Sequence, residues 1–173
     1  MQIILNILIH IVCISIFWQD FRDRAVSWIF FPILLMLIFG QSLSNHQDVK
    51  SLIIKALINL LILIFISSGI VFYFSLKGKK LDQILNKMIG LGDIFLLIAI
   101  TPFFNPFFYC LFIISGSIIS LIGNIIFDKL KKEESINVPL AGNLALIFSI
   151  LLLLISFKIL PDINNIYYSL NTL

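Results

Sequence analysis

The sequence passes through six apolar stretches separated by short polar ones. A bilayer offers no water to backbone amides, so a chain crossing it must satisfy them internally, as helix or as closed barrel. A helical crossing takes about 17–25 apolar residues. The expected spans run about Met1 to Trp18, Trp28 to Leu43, Leu52 to Leu76, Met88 to Phe104, Phe107 to Phe127 and Leu140 to Leu160. "QDFRDR" ends the first, and "KGKK" stops the third. The second is short unless it tilts. Pro102 and Pro106 in "TPFFNPF" disfavour continuous helix and predict a tight turn between the fourth and fifth. Composition agrees. Hydrophobic residues make up 60% of the chain and charged ones 12%, where a soluble domain carries roughly a quarter charged. The expectation is an all-α, polytopic membrane protein of about six transmembrane helices, with residues 1–173 forming one integral-membrane domain.

Lysine and arginine positions predict the orientation. Arg22 and Arg24 follow the first span. Lys77, Lys79, Lys80 and Lys87 follow the third, and Lys129, Lys131 and Lys132 the fifth. With six spans these loops share one side, and only Lys50, Lys55 and Lys158 face the other. The positive-inside rule makes the first side cytoplasmic and puts both termini outside. The N-terminus lacks a basic n-region and a small-x-small cleavage pattern, so the first run reads as a permanent span.

Few residues bear chemistry. Cys13 and Cys110 lie in apolar runs without metal-ligand spacing and read as small buried hydrophobes. His10, in mid-span, reads as a neutral histidine hydrogen-bonded to another helix, and His46 as solvated in a loop. The chain has no GxSxG, HExxH or P-loop. Asp93 stands out. It follows Gly90 and Gly92 in "MIGLGDIFLL", inside an apolar run where an ionisable group is costly and faces protein interior or a watery cavity. Two plainer readings are a neutral aspartate bonded to a neighbouring helix and an N-cap at a later helix start. The glycines permit unusual backbone angles and close approach of another chain. Asp20, at the cytoplasmic end of the first span, falls in the same leaflet as Asp93. Asp23 and Asp82 are cytoplasmic acids too. Two carboxylates brought close cannot both ionise cheaply and hold one proton between them. One then activates water as general base while the other donates to a carbonyl oxygen, which hydrolyses peptides without metal or covalent intermediate.

These residues resemble a family. "GLGD", Gly90 to Asp93, matches the GxGD signature of intramembrane aspartyl proteases, and "MIGLGD" resembles its form in type IV prepilin peptidases. "QDFRDRAVSW" is similar to the family's first catalytic segment, and "NVPLAGNLAL" to its Pro-containing start of the last helix. The resemblance implies Asp20 and Asp93 as catalytic residues and Gly90 and Gly92 as substrate-binding ones. It implies no cofactor, no metal and no nucleic acid. The implied activity is that of an aspartic-type endopeptidase in a bacterial cytoplasmic membrane. Its substrates would be prepilin-like precursors, cut between a short basic leader and the hydrophobic helix that follows. Where the family often carries Lys two residues after the second aspartate, this chain has Phe95; Ile-Pro-Asn is replaced by Val26, Ser27 and Trp28. The N-terminal domain with zinc-binding cysteine pairs is absent, so the chain resembles the short, peptidase-only members without a methyltransferase function. Two other readings use the same residues: a small ion- or proton-coupled carrier built on Asp93, and an inactive peptidase-like assembly subunit.

Overall fold

The computed structural model of the protein describes residues 2–45, 47–78, 90–131 and 140–159. Among the described residues there is no strand. Six helices follow in order: α1 (Gln2–Asp23), α2 (Phe30–Ser44), α3 (Val49–Leu76), α4 (Leu91–Ala99), α5 (Pro106–Lys131) and α6 (Leu140–Ser156). Among the described residues, three stretches are long and apolar enough to cross a membrane: α1, α3 and Pro106–Gly123 of α5. Helices α2 and α6 are apolar but shorter. The chain is therefore all-α and has the helices of a membrane protein.

Helix α1 outlasts its apolar run. Trp18 was the expected end, yet the helix continues through Asp23. Polar side chains at a helix end leave the backbone ladder intact, so a change of composition need not stop the helix. The stop comes at Arg24, whose φ of 50° is left-handed and whose N–H reaches back to Asp20 O at 3.0 Å. Asp20 is thereby carried on helix rather than at its edge.

The fourth run departs furthest from expectation. In place of a span from Met88 to Phe104 there is a nine-residue helix followed by a turn over 100–104. Nine residues rise about 14 Å, half of a ~30 Å hydrocarbon core. Met88 and Ile89 lie outside the described residues. Pro102 disfavours helix at the residue before it, and α3 then fixes the turn. Asn59, wholly buried, donates from Nδ2 to Thr101 O at 2.8 Å and to Phe104 O at 2.7 Å. The Thr101 hydroxyl donates to Ile98 O at 2.8 Å, and the Tyr109 hydroxyl to Leu97 O at 3.1 Å. Carbonyls freed by a broken helix must find donors away from water, and these side chains supply them. Helices α4 and α5 thus form a hairpin with its apex inside the bundle. Proline fits at Pro106 because the first helical residue needs no N–H donor.

Helix α1 packs between α2 and α6, antiparallel to both. Gln2, Asn6 and His10 recur every fourth residue, on one face of the helix. Gln2 donates to Asn45 Oδ1 at 2.5 Å, and Gln41 donates to Asn6 Oδ1 at 2.5 Å. Asn6 donates to Ser156 Oγ at 3.2 Å, and His10 Nδ1 lies 2.7 Å from Ser149 Oγ. His10 thus has the interhelical bond expected of it. Lipid gives helices no hydrophobic reason to associate, so such bonds and close packing hold them together.

Beyond His10 the interface turns dry, lined by Cys13, Ile16, Leu144, Ala145 and Phe148. Phe103, Phe104, Tyr109, Phe112 and Phe148 fill the space between the hairpin turn and α6, with ring centroids 4.9 to 6.3 Å apart. Both cysteines are free; Cys13 is buried as expected, whereas Cys110 is only half-buried.

Candidate active site

Three helix ends meet at one end of the bundle. Helix α1 brings Asp20, α4 brings Asp93, and the first turn of α6 touches both. The first N–H groups of a helix have no partner within it and carry its positive dipole end. Here two of them are used in succession. Gly142 N–H donates to Asp20 Oδ2 at 2.6 Å, and Ala141 N–H donates to the Asp93 carboxylate. Asp20 is buried, at 7% exposure, and the charges of the two carboxylates act on each other.

Asp93 is the third residue of α4, behind an N-cap at Gly90. It is not an N-cap itself, and it stands in the first turn of a short helix rather than within a full span. Its carboxylate also accepts from Gly90 N–H. An acid at the third helical position reaching back to the N-cap amide is half of a capping box. The first turn of α4 therefore orients Asp93 from within its own helix, while α6 holds it from outside.

The glycines act through space rather than through unusual angles. Gly90 has φ −66° and ψ 122°, open to any residue. A Cβ there would stand 2.6 Å from Asp93 Oδ2, in the room the carboxylate needs. At Gly92 a Cβ would meet Ala141 Cβ at 3.7 Å and Phe31 Cζ at 3.9 Å, ordinary contacts that seat α4 against α6 and α2. Gly142 is the tightest. A Cβ there would lie 3.0 Å from Asp20 Cβ, 3.1 Å from Asp20 Oδ2 and 3.2 Å from Phe17 Cα. The absence of a side chain lets the start of α6 approach α1 closely enough for its amide to reach Asp20.

Two of the departures from the resembled family, at Ser27 and Phe95, have local structural uses. Ser27 donates its N–H to Gln19 Oε1 at 2.9 Å, tying the α1–α2 connection to the residue beside Asp20. A proline at this position would have no N–H to give. Phe95 packs on Phe31 with ring centroids 5.8 Å apart, and stays 45% exposed beside the site.

The other candidates fall elsewhere. Asp23 is exposed and faces Arg22 at 3.7 Å. Asp82, His46, Lys79, Lys80, Lys87 and Lys132 lie outside the described residues. Among the described residues no three His, Cys, Asp or Glu side chains cluster as a metal site would require. Sequence reasoning missed Ala141 and Gly142 as site residues. Their signal was a run of small residues, "AG", just after Pro139 at the start of a long apolar stretch.

Two carboxylates gripped by adjacent amides of one helix can hold one proton between them and act as an acid–base pair on a water and a carbonyl. No protein-family model, curated protein or solved structure matches the chain.

Proposed function

We propose that the chain is an intramembrane aspartic-type endopeptidase of the prepilin-peptidase kind. Asp20 and Asp93 are its catalytic pair. The observation that carries this reading is the shared clamp: consecutive amides of α6, Ala141 and Gly142, each donate to one of the two aspartates. A pair held this way supports general acid–base hydrolysis. One carboxylate takes a proton from water, whose oxygen attacks the scissile carbonyl carbon. The other gives its proton to the carbonyl oxygen. The carbon–nitrogen bond then breaks as the amine leaves with a proton. No cofactor enters the scheme, and neither does the methyltransferase function of larger members.

The protein is read as a multi-pass protein of a bacterial cytoplasmic membrane with both termini outside, so the pair works at the cytoplasmic face. Its substrates are prepilin-like precursors bearing a basic leader and an apolar helix, engaged from the bilayer. The dry layer of Cys13, Ile16, Ala145 and Phe148 separates His10 from Asp20, which disfavours the continuous polar path a carrier needs.

The test is cleavage of a leader-bearing precursor by the membrane-embedded protein. Wild type is expected to release the leader. D20N and D93N are expected to abolish release while accumulating normally. Cleavage retained in both variants would overturn the reading.

A further inference from the structure

Helix α5 carries neither candidate aspartate, yet it grips the helix that clamps them. Asn143 follows Gly142 directly, and its Nδ2 donates to Ser120 Oγ of α5 at 2.8 Å. Ser120 is buried at 2% exposure. One turn along α5, at Gly116, a Cβ would stand 2.6 Å from Leu144 Cδ2. Gly116 and Ser120 thus face Leu144 and Asn143 along one close seam. The glycine leaves room for the end of the Leu144 side chain, and the serine marks the height at which α6 rests.

We propose that Ser120 and Asn143 are positioning residues of the aspartate pair. Their bond fixes the first turn of α6 along α5 and so keeps the Ala141 and Gly142 amides on Asp93 and Asp20. The inference deepens the peptidase reading and rests on it for its catalytic consequence. The geometric reason is continuity. Ala141, Gly142 and Asn143 are consecutive in one helical turn, so a shift that breaks the Asn143 bond moves both amide donors together. The aspartates sit on two other helices, α1 and α4, so the amide donors and the carboxylates they serve do not share one helical turn. Acid–base catalysis is sensitive to such displacement; about 1 Å of misplacement can cost roughly a hundredfold in rate.

The experiment uses the full-length protein in lipid nanodiscs, with S120A, N143A and the hydroxyl-keeping S120T beside wild type, D20N and D93N. Two readouts are taken: steady-state cleavage of a leader-bearing precursor, and hydrogen–deuterium exchange of the peptide spanning the start of α6. S120A and N143A are expected to lower kcat by about tenfold or more with KM within about twofold. They are also expected to speed exchange at Ala141 and Gly142. S120T is expected to recover kcat and protection to near wild type. Wild-type kcat with wild-type protection in S120A would overturn the proposal, as would an S120T variant that recovers neither. If wild type does not cleave, or D20N and D93N still do, the peptidase reading fails by itself. The exchange arm then decides the positioning role alone: faster exchange in S120A and recovery in S120T sustain it, and unchanged protection overturns it.

Discussion

Gly142 gives its backbone N–H to Asp20 at 2.6 Å, and the space that lets it do so is the space a side chain would occupy. G142A would push its methyl against Asp20 Cβ and the Phe17 backbone, neither of which is a flexible side-chain tip. Overpacking of this kind costs about 1–3 kcal/mol. G142A is expected to lose precursor cleavage by roughly 10- to 100-fold, as the amide withdraws from the carboxylate. Cleavage rates and thermal unfolding in detergent check the two effects separately.

Gly90 and Gly92 separate two roles for the signature glycines. A methyl at 90 displaces the Asp93 carboxylate from the Gly90 amide, whereas a methyl at 92 meets ordinary contacts. G90A is expected to cleave at least about tenfold more slowly with little change in KM. G92A is expected to stay within about threefold of wild type. A large KM increase in both would point to a substrate backbone lying along both glycines, and would displace the spatial account.

Asp20 and Asp93 come from helices far apart in sequence, so their meeting is testable without activity. With Cys13 and Cys110 replaced by Ala and Ser, cysteines at 20 and 93 are expected to be joined by a short bis-methanethiosulfonate reagent, each thiol displacing one sulfinate. The joined chain would stay in one piece after proteolytic cleavage between α1 and α4. A pair at 23 and 93 is expected to link less, because Asp23 is exposed and turned toward Arg22.

Asn59 satisfies two carbonyls of the α4–α5 turn at once. N59L removes both bonds and keeps the bulk. It is expected to destabilise the bundle by about 1–3 kcal/mol, the cost of stranding buried polar groups. Unfolding midpoints in a detergent–denaturant series measure this.

His10 provides a contrast. H10L breaks its bond to Ser149, and membrane hydrogen bonds of this kind are worth about 0.6–1.7 kcal/mol. Cleavage by H10L is expected to remain near wild type. A collapse of activity would connect His10 to the aspartates and revive the proton-carrier reading.

Local signals carried much of this architecture, and distant ones the rest. The runs around α1, α2, α3, α5 and α6 were readable from hydropathy alone, because length and polarity decide whether a segment can be helix in lipid. Asp93 was conspicuous as a carboxylate without local compensation. The short α4 was hidden, because its end depends on Asn59, 42 residues away from Thr101. The turn signal of Pro102 was visible, but not the depth of the turn. Of the two reasons the glycines offered, unusual angles do not apply at Gly90, and crowding depends on neighbours that residue type does not name. The Ala141–Gly142 clamp left only the small-residue pair after Pro139 as its signal, without the carboxylates it serves. Which helix start lies beside which carboxylate is a lateral relation, and composition along one chain does not encode it.

The interrupted polar ladder of α1 has a further consequence. A membrane bundle with ionisable groups at both levels of one helix risks becoming a proton leak. Some ten residues of helix, about 15 Å, separate His10 from Asp20, and Cys13 and Ile16 lie between them without solvent contact. On the far side, Phe148 and the rings around Phe104 close the same level. That level is filled by apolar side chains, so water that reached the aspartates from their own end would meet no polar path on to His10.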